Sequence, residues 1–220
     1  MNNEKVAIAI NDGHQGKYET YKELMNRYTR AMNSEFCLDA VWIVYAMLED
    51  RLTSALYYAG IVNGTKRAVV TKKRIVNGNP ATKPTEGNLR EVLAIPKGSF
   101  NLGKISGKIT AIRKILDFGK AQPQQLNGFY CDLFTKLNTY ANTEGLYCEL
   151  NNLLEEKTPR NDWTQKRNEL VHSLFAKKYD VVKTEGHILA ESGLKSARQI
   201  DHFVNHLKKG IDLRKKYNIQ

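Results

Sequence analysis

Towards its C-terminal end the chain reads Lys166-Arg167-Asn168-Glu169-Leu170-Val171-His172-Ser173-Leu174-Phe175. These residue types suit proton transfer beside an anion. Histidine titrates near neutral pH, so it can take a proton from a hydroxyl or return one to a leaving oxygen. Arginine stays charged and offers a planar fork that matches two phosphate oxygens. On a regular helix Asn168 and His172 share one face, whereas Arg167 and His172 lie about 140° apart. Arg167 and His172 of one copy therefore converge only if the arginine curls round or the helix is distorted. Plainer roles compete: a lone helical histidine is more often the satisfied partner of a carboxylate, and Arg167 could pair beside Glu169. An Arg and a His at this spacing also arise readily by chance.

The segment 166–175 resembles the signature of the HEPN superfamily: an Arg, four to six residues, then His, often with Asn, Asp or His directly after the Arg. Here the spacing is four, Asn168 follows Arg167, and Leu170-Val171 precede His172. The resemblance implies an all-α HEPN-like bundle, and a homodimer whose paired helices set two Arg and two His around one cleft. It also implies a metal-independent endoribonuclease with no cofactor. In that chemistry His172 takes the proton of an RNA 2′-hydroxyl and Arg167 meets the charge growing on the scissile phosphate. A His of the second copy protonates the leaving 5′-oxygen, and Asn168 orients His172 or a phosphate oxygen. The products are a 2′,3′-cyclic phosphate and a 5′-hydroxyl. HEPN nucleases often carry an acidic or polar residue on an earlier helix near the site, which makes Glu49 or Asp50 candidates to support Arg167 or His172. An internal pair with Arg51 is the equal alternative. The resemblance also suggests a toxin or phage-defence setting, with an antitoxin or nucleotidyltransferase-like partner. Leu174 departs from the Tyr that some HEPN toxins have at that position. With a whole further helix after the motif and a long insertion before it, a catalytically silent HEPN module binding RNA or a nucleotidyltransferase-like partner is the alternative. A helical scaffold unrelated to nucleic acid is a third reading.

The bulk composition agrees with a polyanionic partner. Thirty-four Lys and Arg against twenty-three Asp and Glu give a net charge of +11, and phosphates attract such a surplus whatever their base sequence. The bland alternative is a basic protein that is merely soluble. Between Ile61 and Thr85 stand Lys66, Arg67, Lys72, Lys73, Arg74 and Lys83 with no acidic residue, a solvated loop or a contact to an RNA backbone. Cys37, Cys131 and Cys148 show no CxxC spacing, so they read as free thiols in a reducing compartment. His202 and His206 are spaced i,i+4, but no third ligand accompanies them and no metal is expected. The glycines match no phosphate-loop pattern. Val6 to Ile10 is too short for an export signal. The longest apolar run, Ala40 to Leu48, falls well below the roughly 20 residues of a membrane span. A cytoplasmic protein without membrane contact is expected.

The elements that must position the motif follow from apolar spacing. A flexible tail over 1–16 precedes a single domain over 17–220. Tyr21, Leu24, Met25, Tyr28 and Met32 predict a first helix from Tyr18 to Met32. A second, capped by Ser34 and running to about Ala59, is apolar on most sides and so should be the central one. Asn63-Gly64 ends it, and about 61–100 forms a basic loop or small hairpin insertion. Leu102 to Phe118 and about Gln124 to Glu156 predict further helices. Thr158-Pro159 marks the start of the motif helix, to about Lys178. A last helix spans roughly Ser192 to Tyr217.

Overall fold

The computed structural model describes residues 13–58, 102–121, 135, 138–141, 145–155 and 161–209. Among them all regular secondary structure is helical: α1 (Gly13–Asn33), α2 (Cys37–Tyr58), α3 (Ile105–Ala121), α4 (Leu146–Leu153), α5 (Trp163–His172) and α6 (Tyr179–Lys209). The insertion at 61–100, with Lys66, Arg67, Lys72, Lys73 and Arg74, lies outside the described residues, as does most of the tail. No described helix is long and apolar enough to cross a membrane.

α2 is the central helix. Its Ala40, Val41, Val44, Leu48, Leu52, Ala55 and Leu56 are almost wholly buried, which matches its apolar composition. α6 is its main partner, and α1 and α3 pack beside it. From α6 come Leu189, Ala190, Ala197, Ile200, Phe203 and Val204, while α1 contributes Tyr28 and Ala31, with Leu24, Met25 and Met32 partly buried against the core.

Several boundaries differ from the sequence expectation. α1 begins at Gly13, so residues 13–16 belong to a helix and not to the tail. Ser34 does not cap α2. The chain instead leaves α1 through paired reversed bonds, Phe36 N–H to the Ala31 carbonyl (2.8 Å) and Glu35 N–H to the Met32 carbonyl (3.2 Å). This C-terminal motif needs a left-handed residue, and Glu35 supplies it at φ 62°. The position is strained for a residue with a β-carbon. Glu35→Gly should therefore raise stability, read as a higher urea midpoint, by up to about 1 kcal/mol of relieved strain. The Glu35–Lys183 pair that it loses is at the surface and adds little.

α6 starts at Tyr179, well before Ser192. Gly186 and Gly193 weaken helix propensity there, but packing on α2 overrides it. A β-carbon at 186 would meet Cys37, and one at 193 would meet Val44 and Trp163. The two glycines let the helix axes approach.

Buried charges tie the bundle at its far end. Arg51, 5% exposed, donates to the Tyr21 hydroxyl (2.7 Å) and to Asp50 (2.5 Å), and pairs with Asp201 of α6. Tyr21 in turn donates to Asp50 at 2.8 Å, so α1, α2 and α6 share one network. Burial, then the Asp50 charge, pushes the Tyr21 phenol well above its ordinary range. The fold thus holds the protonated phenol, and that stability is complete below about pH 10 and falls as pH rises further. Tyr21→Phe should cost about 1 kcal/mol at pH 7 through its lost bonds. The difference from wild type should narrow in urea unfolding at pH 11, where only the wild type carries this alkaline penalty.

Candidate functional site

α5 carries the motif, and its placement is set from both ends. Asp162 caps it: one carboxylate oxygen accepts from Gln165 N–H (2.8 Å), the other from Glu155 N–H (3.0 Å). Asp162 is 2% exposed, so this one side chain joins the start of α5 to the end of α4. The cap is therefore Asp162, not Thr158, which lies outside the described residues with Pro159. Trp163 follows as an anchor, buried and donating its indole N–H to the Leu189 carbonyl at 2.8 Å. At the other end the helix stops at His172, short of the expected Lys178. Ser173 turns its hydroxyl back onto the Glu169 carbonyl, and its own carbonyl accepts from Ala176 and Lys177 in the turn before α6.

This frame divides the motif. Trp163, Arg167 and Leu170 recur at helical spacing along one side, and Trp163 and Leu170 are buried. Arg167 is half-buried and lies against two rings of α2. Its guanidinium carbon is 4.2 Å from the Tyr45 ring centre and 5.4 Å from that of Trp42. Its Nε is buried without a hydrogen-bond partner. No described carboxylate pairs with it, and the neighbouring Glu169 accepts from Gln165 at 2.7 Å. Arg51 and Arg113 differ: Arg51 binds carboxylates, and Arg113 binds Asn151 (2.7 Å) and the carbonyls of Leu150 (2.8 Å) and Leu154. Arg167 is held by π faces, an attraction that leaves its charge uncompensated.

His172 is exposed at the end of α5, and Asn168 is half-buried one turn before it. α5 is helical throughout, so Asn168 and His172 share a face while Arg167 turns towards α2. The structure therefore brings Arg167 to Tyr45 and Trp42, and does not bring it to His172 within one copy.

Glu49 and Asp50 are occupied elsewhere. Glu49 pairs with Lys108 of α3 at 2.9 Å, and Asp50 binds Arg51 and Tyr21. For Asp50 the internal pair with Arg51 is what forms. His202 and His206 pack on Tyr140, with the Tyr140 hydroxyl 3.1 Å from His202 Nδ1. No metal-binding group of three His, Cys, Asp or Glu occurs among the described residues.

No protein-family model, curated protein or solved structure matches this chain.

A groove of about 610 Å³ opens between α4, α5 and α6, beside Lys166, Glu169 and Trp163. Its charges largely satisfy one another: Lys177 pairs with Glu185 at 2.5 Å, and Lys195 with Glu149 at 3.4 Å. Neither Arg167 nor His172 lines it. The residues that sequence reasoning missed are Trp42 and Tyr45. The one available signal was a Trp-x-x-Tyr spacing on a helix otherwise filled with aliphatic core residues.

Proposed function

We propose that the protein is a metal-independent endoribonuclease acting as a homodimer. The reading rests on the motif at 167–172 and on one observation above all: the motif's Arg167 is fixed by aromatic faces of α2, with no counter-ion among the described residues. A guanidinium held that way is preorganised for an external oxyanion, and its ordering needs no carboxylate that a phosphate would have to displace.

In this mechanism the 2′-oxygen attacks the adjacent phosphorus while His172 accepts its proton. Arg167 stabilises the charge on the phosphate oxygens, and Asn168 orients the imidazole or a phosphate oxygen. The bond from phosphorus to the 5′-oxygen breaks, and that oxygen takes a proton from an imidazolium, leaving a 2′,3′-cyclic phosphate and a 5′-hydroxyl. Within one copy Arg167 and His172 diverge by about 140° around α5, so a second copy is required to complete the cleft. Charge supports the substrate class, with Lys66, Arg67, Lys72, Lys73 and Arg74 as backbone contacts. A toxin or phage-defence role follows from the resemblance alone.

A second reading has its own support. His172 has no described group orienting its ring, whereas catalytic imidazoles are usually held by a hydrogen bond. That favours a silent module that binds RNA, or an antitoxin or nucleotidyltransferase-like protein, with Arg167 bracing α5 on α2. The experiment is cleavage of mixed-sequence RNA in EDTA, with the product ends identified, by wild type and His172→Ala. Cyclic-phosphate products lost in the variant support the nuclease. RNA binding without cleavage, unchanged in the variant, supports the silent module.

A further inference from the structure

We propose that Trp42 and Tyr45, with Arg167 laid against them, form a stacking platform for an unpaired base of a single-stranded polynucleotide. The inference rests on reading Arg167 as a phosphate-binding cation and names the class of substrate that the site admits.

α2 is the central helix, yet Trp42 in its second turn is 49% exposed. The chain has two tryptophans, and the other, Trp163, is buried and bonded. The Trp42 and Tyr45 rings meet edge to face, with centres 5.9 Å apart and planes at 76°. Arg167 stands over both rings, closer to Tyr45 than to Trp42, yet nearly half of the Trp42 surface stays exposed beside it.

An exposed aromatic face beside a cation is the pairing that single strands recognise: the base stacks while the charge follows the backbone. A purely apolar partner would gain from the ring but would bury an unpaired guanidinium, which is costly. The local charge also sets a direction. Glu49, one turn beyond Tyr45, is neutralised by Lys108. Asp39 is exposed one turn before Trp42 and repels phosphate. A phosphate beside the stacked base is therefore favoured on the Arg167 side and disfavoured next to Asp39. Duplex RNA, whose bases are stacked internally, has no free base face to offer.

The test uses the full chain with a dodecamer of deoxyuridine, which lacks the 2′-hydroxyl and is not cut, and an abasic strand of equal length and charge. Tryptophan fluorescence reports Trp42, since Trp163 is shielded. The base-bearing strand should quench it and bind about 10- to 100-fold more tightly than the abasic one. Read by fluorescence polarisation of end-labelled strands, since these variants lack the reporting indole, Trp42→Ala should abolish that preference and Trp42→Phe should keep part of it. Equal binding of both strands overturns the platform. So does fluorescence already shielded from acrylamide by self-association at every protein concentration and unchanged by the oligonucleotide. RNA cleavage that depends on His172 stands or falls independently. Loss of cleavage with retained base preference would sink the nuclease reading alone, and equal binding with retained cleavage would sink the platform alone.

Discussion

His172→Ala should lower RNA cleavage in EDTA by about 10²- to 10⁴-fold, the range that a positioned general base or acid contributes. The fold should be almost unaffected. His172 is exposed in the last turn of α5 and its side chain bonds to no other described residue, and substitutions at such positions stay within about 0.5 kcal/mol. Circular dichroism and urea midpoints should therefore match wild type while activity collapses. Arg167 behaves differently. Arg167→Lys keeps a charge but loses the planar fork and its stacking on Tyr45, so a loss of about 10²- to 10³-fold is expected. The dimer reading adds a sharper result. Arg167→Ala and His172→Ala proteins, each inactive, should regain part of the activity when mixed, because a mixed dimer holds one intact Arg and one intact His around its cleft, and that His must serve as base and then as acid. A mixture as inactive as its parts would place the site within one chain, where α5 sets Arg167 and His172 on different sides. Wild-type cleavage by His172→Ala would assign the activity to another site.

Much of the scaffold was legible because it depends on periodicity. The spacing of Tyr21, Leu24, Tyr28 and Met32 located α1, and the aliphatic density of Ala40 to Leu56 marked α2 as central. The motif's helix was placed correctly, but both of its ends were not. Asp162 outcompetes Thr158 as a cap because its carboxylate also satisfies Glu155 of the preceding segment, a tertiary contact invisible to local pattern. The early start of α6 was hidden for the same reason: the stretch from Tyr179 to Glu191 includes Gly186, a weak helix former, and what sustains the helix there is close packing on α2. At the site, residue types were legible and their partners were not. Arg167 suggested a carboxylate partner, and the sequence offered Glu49, Asp50 and Glu169. Each of these is engaged elsewhere, with Lys108, Arg51 and Gln165. That the arginine rests on Trp42 and Tyr45, over 100 residues away, depends on how α5 docks across the α2–α6 pair.

That docking gives the largest expected effect on stability, at Gly193. Alanine is the better helix former by about 1 kcal/mol, so propensity alone predicts that Gly193→Ala stabilises α6. Packing predicts the reverse. A β-carbon there would stand 2.6 Å from Val44 Cγ1 and 2.8 Å from the Trp163 indole nitrogen. The valine methyl can turn aside, but the indole is rigid and tied to the Leu189 carbonyl. Overpacking of this kind costs about 1–3 kcal/mol, and losing the indole hydrogen bond adds about 1 kcal/mol. The net expectation is a loss of about 2 kcal/mol in urea unfolding, with a changed near-ultraviolet signal from Trp163. Gly186→Ala is the control: its β-carbon would meet only Cys37, at 3.0 Å, and the propensity gain should offset most of that contact. If Gly193→Ala proves as stable as wild type, the close seating of Trp163 between α2 and α6 is wrong. Should it destabilise as expected, the site must feel it too. Trp163 lies one turn before Arg167 on the same side of α5, so pushing the indole outward lifts the guanidinium from Tyr45. In the population that remains folded, base-dependent binding should then weaken although no residue touching the polynucleotide has changed.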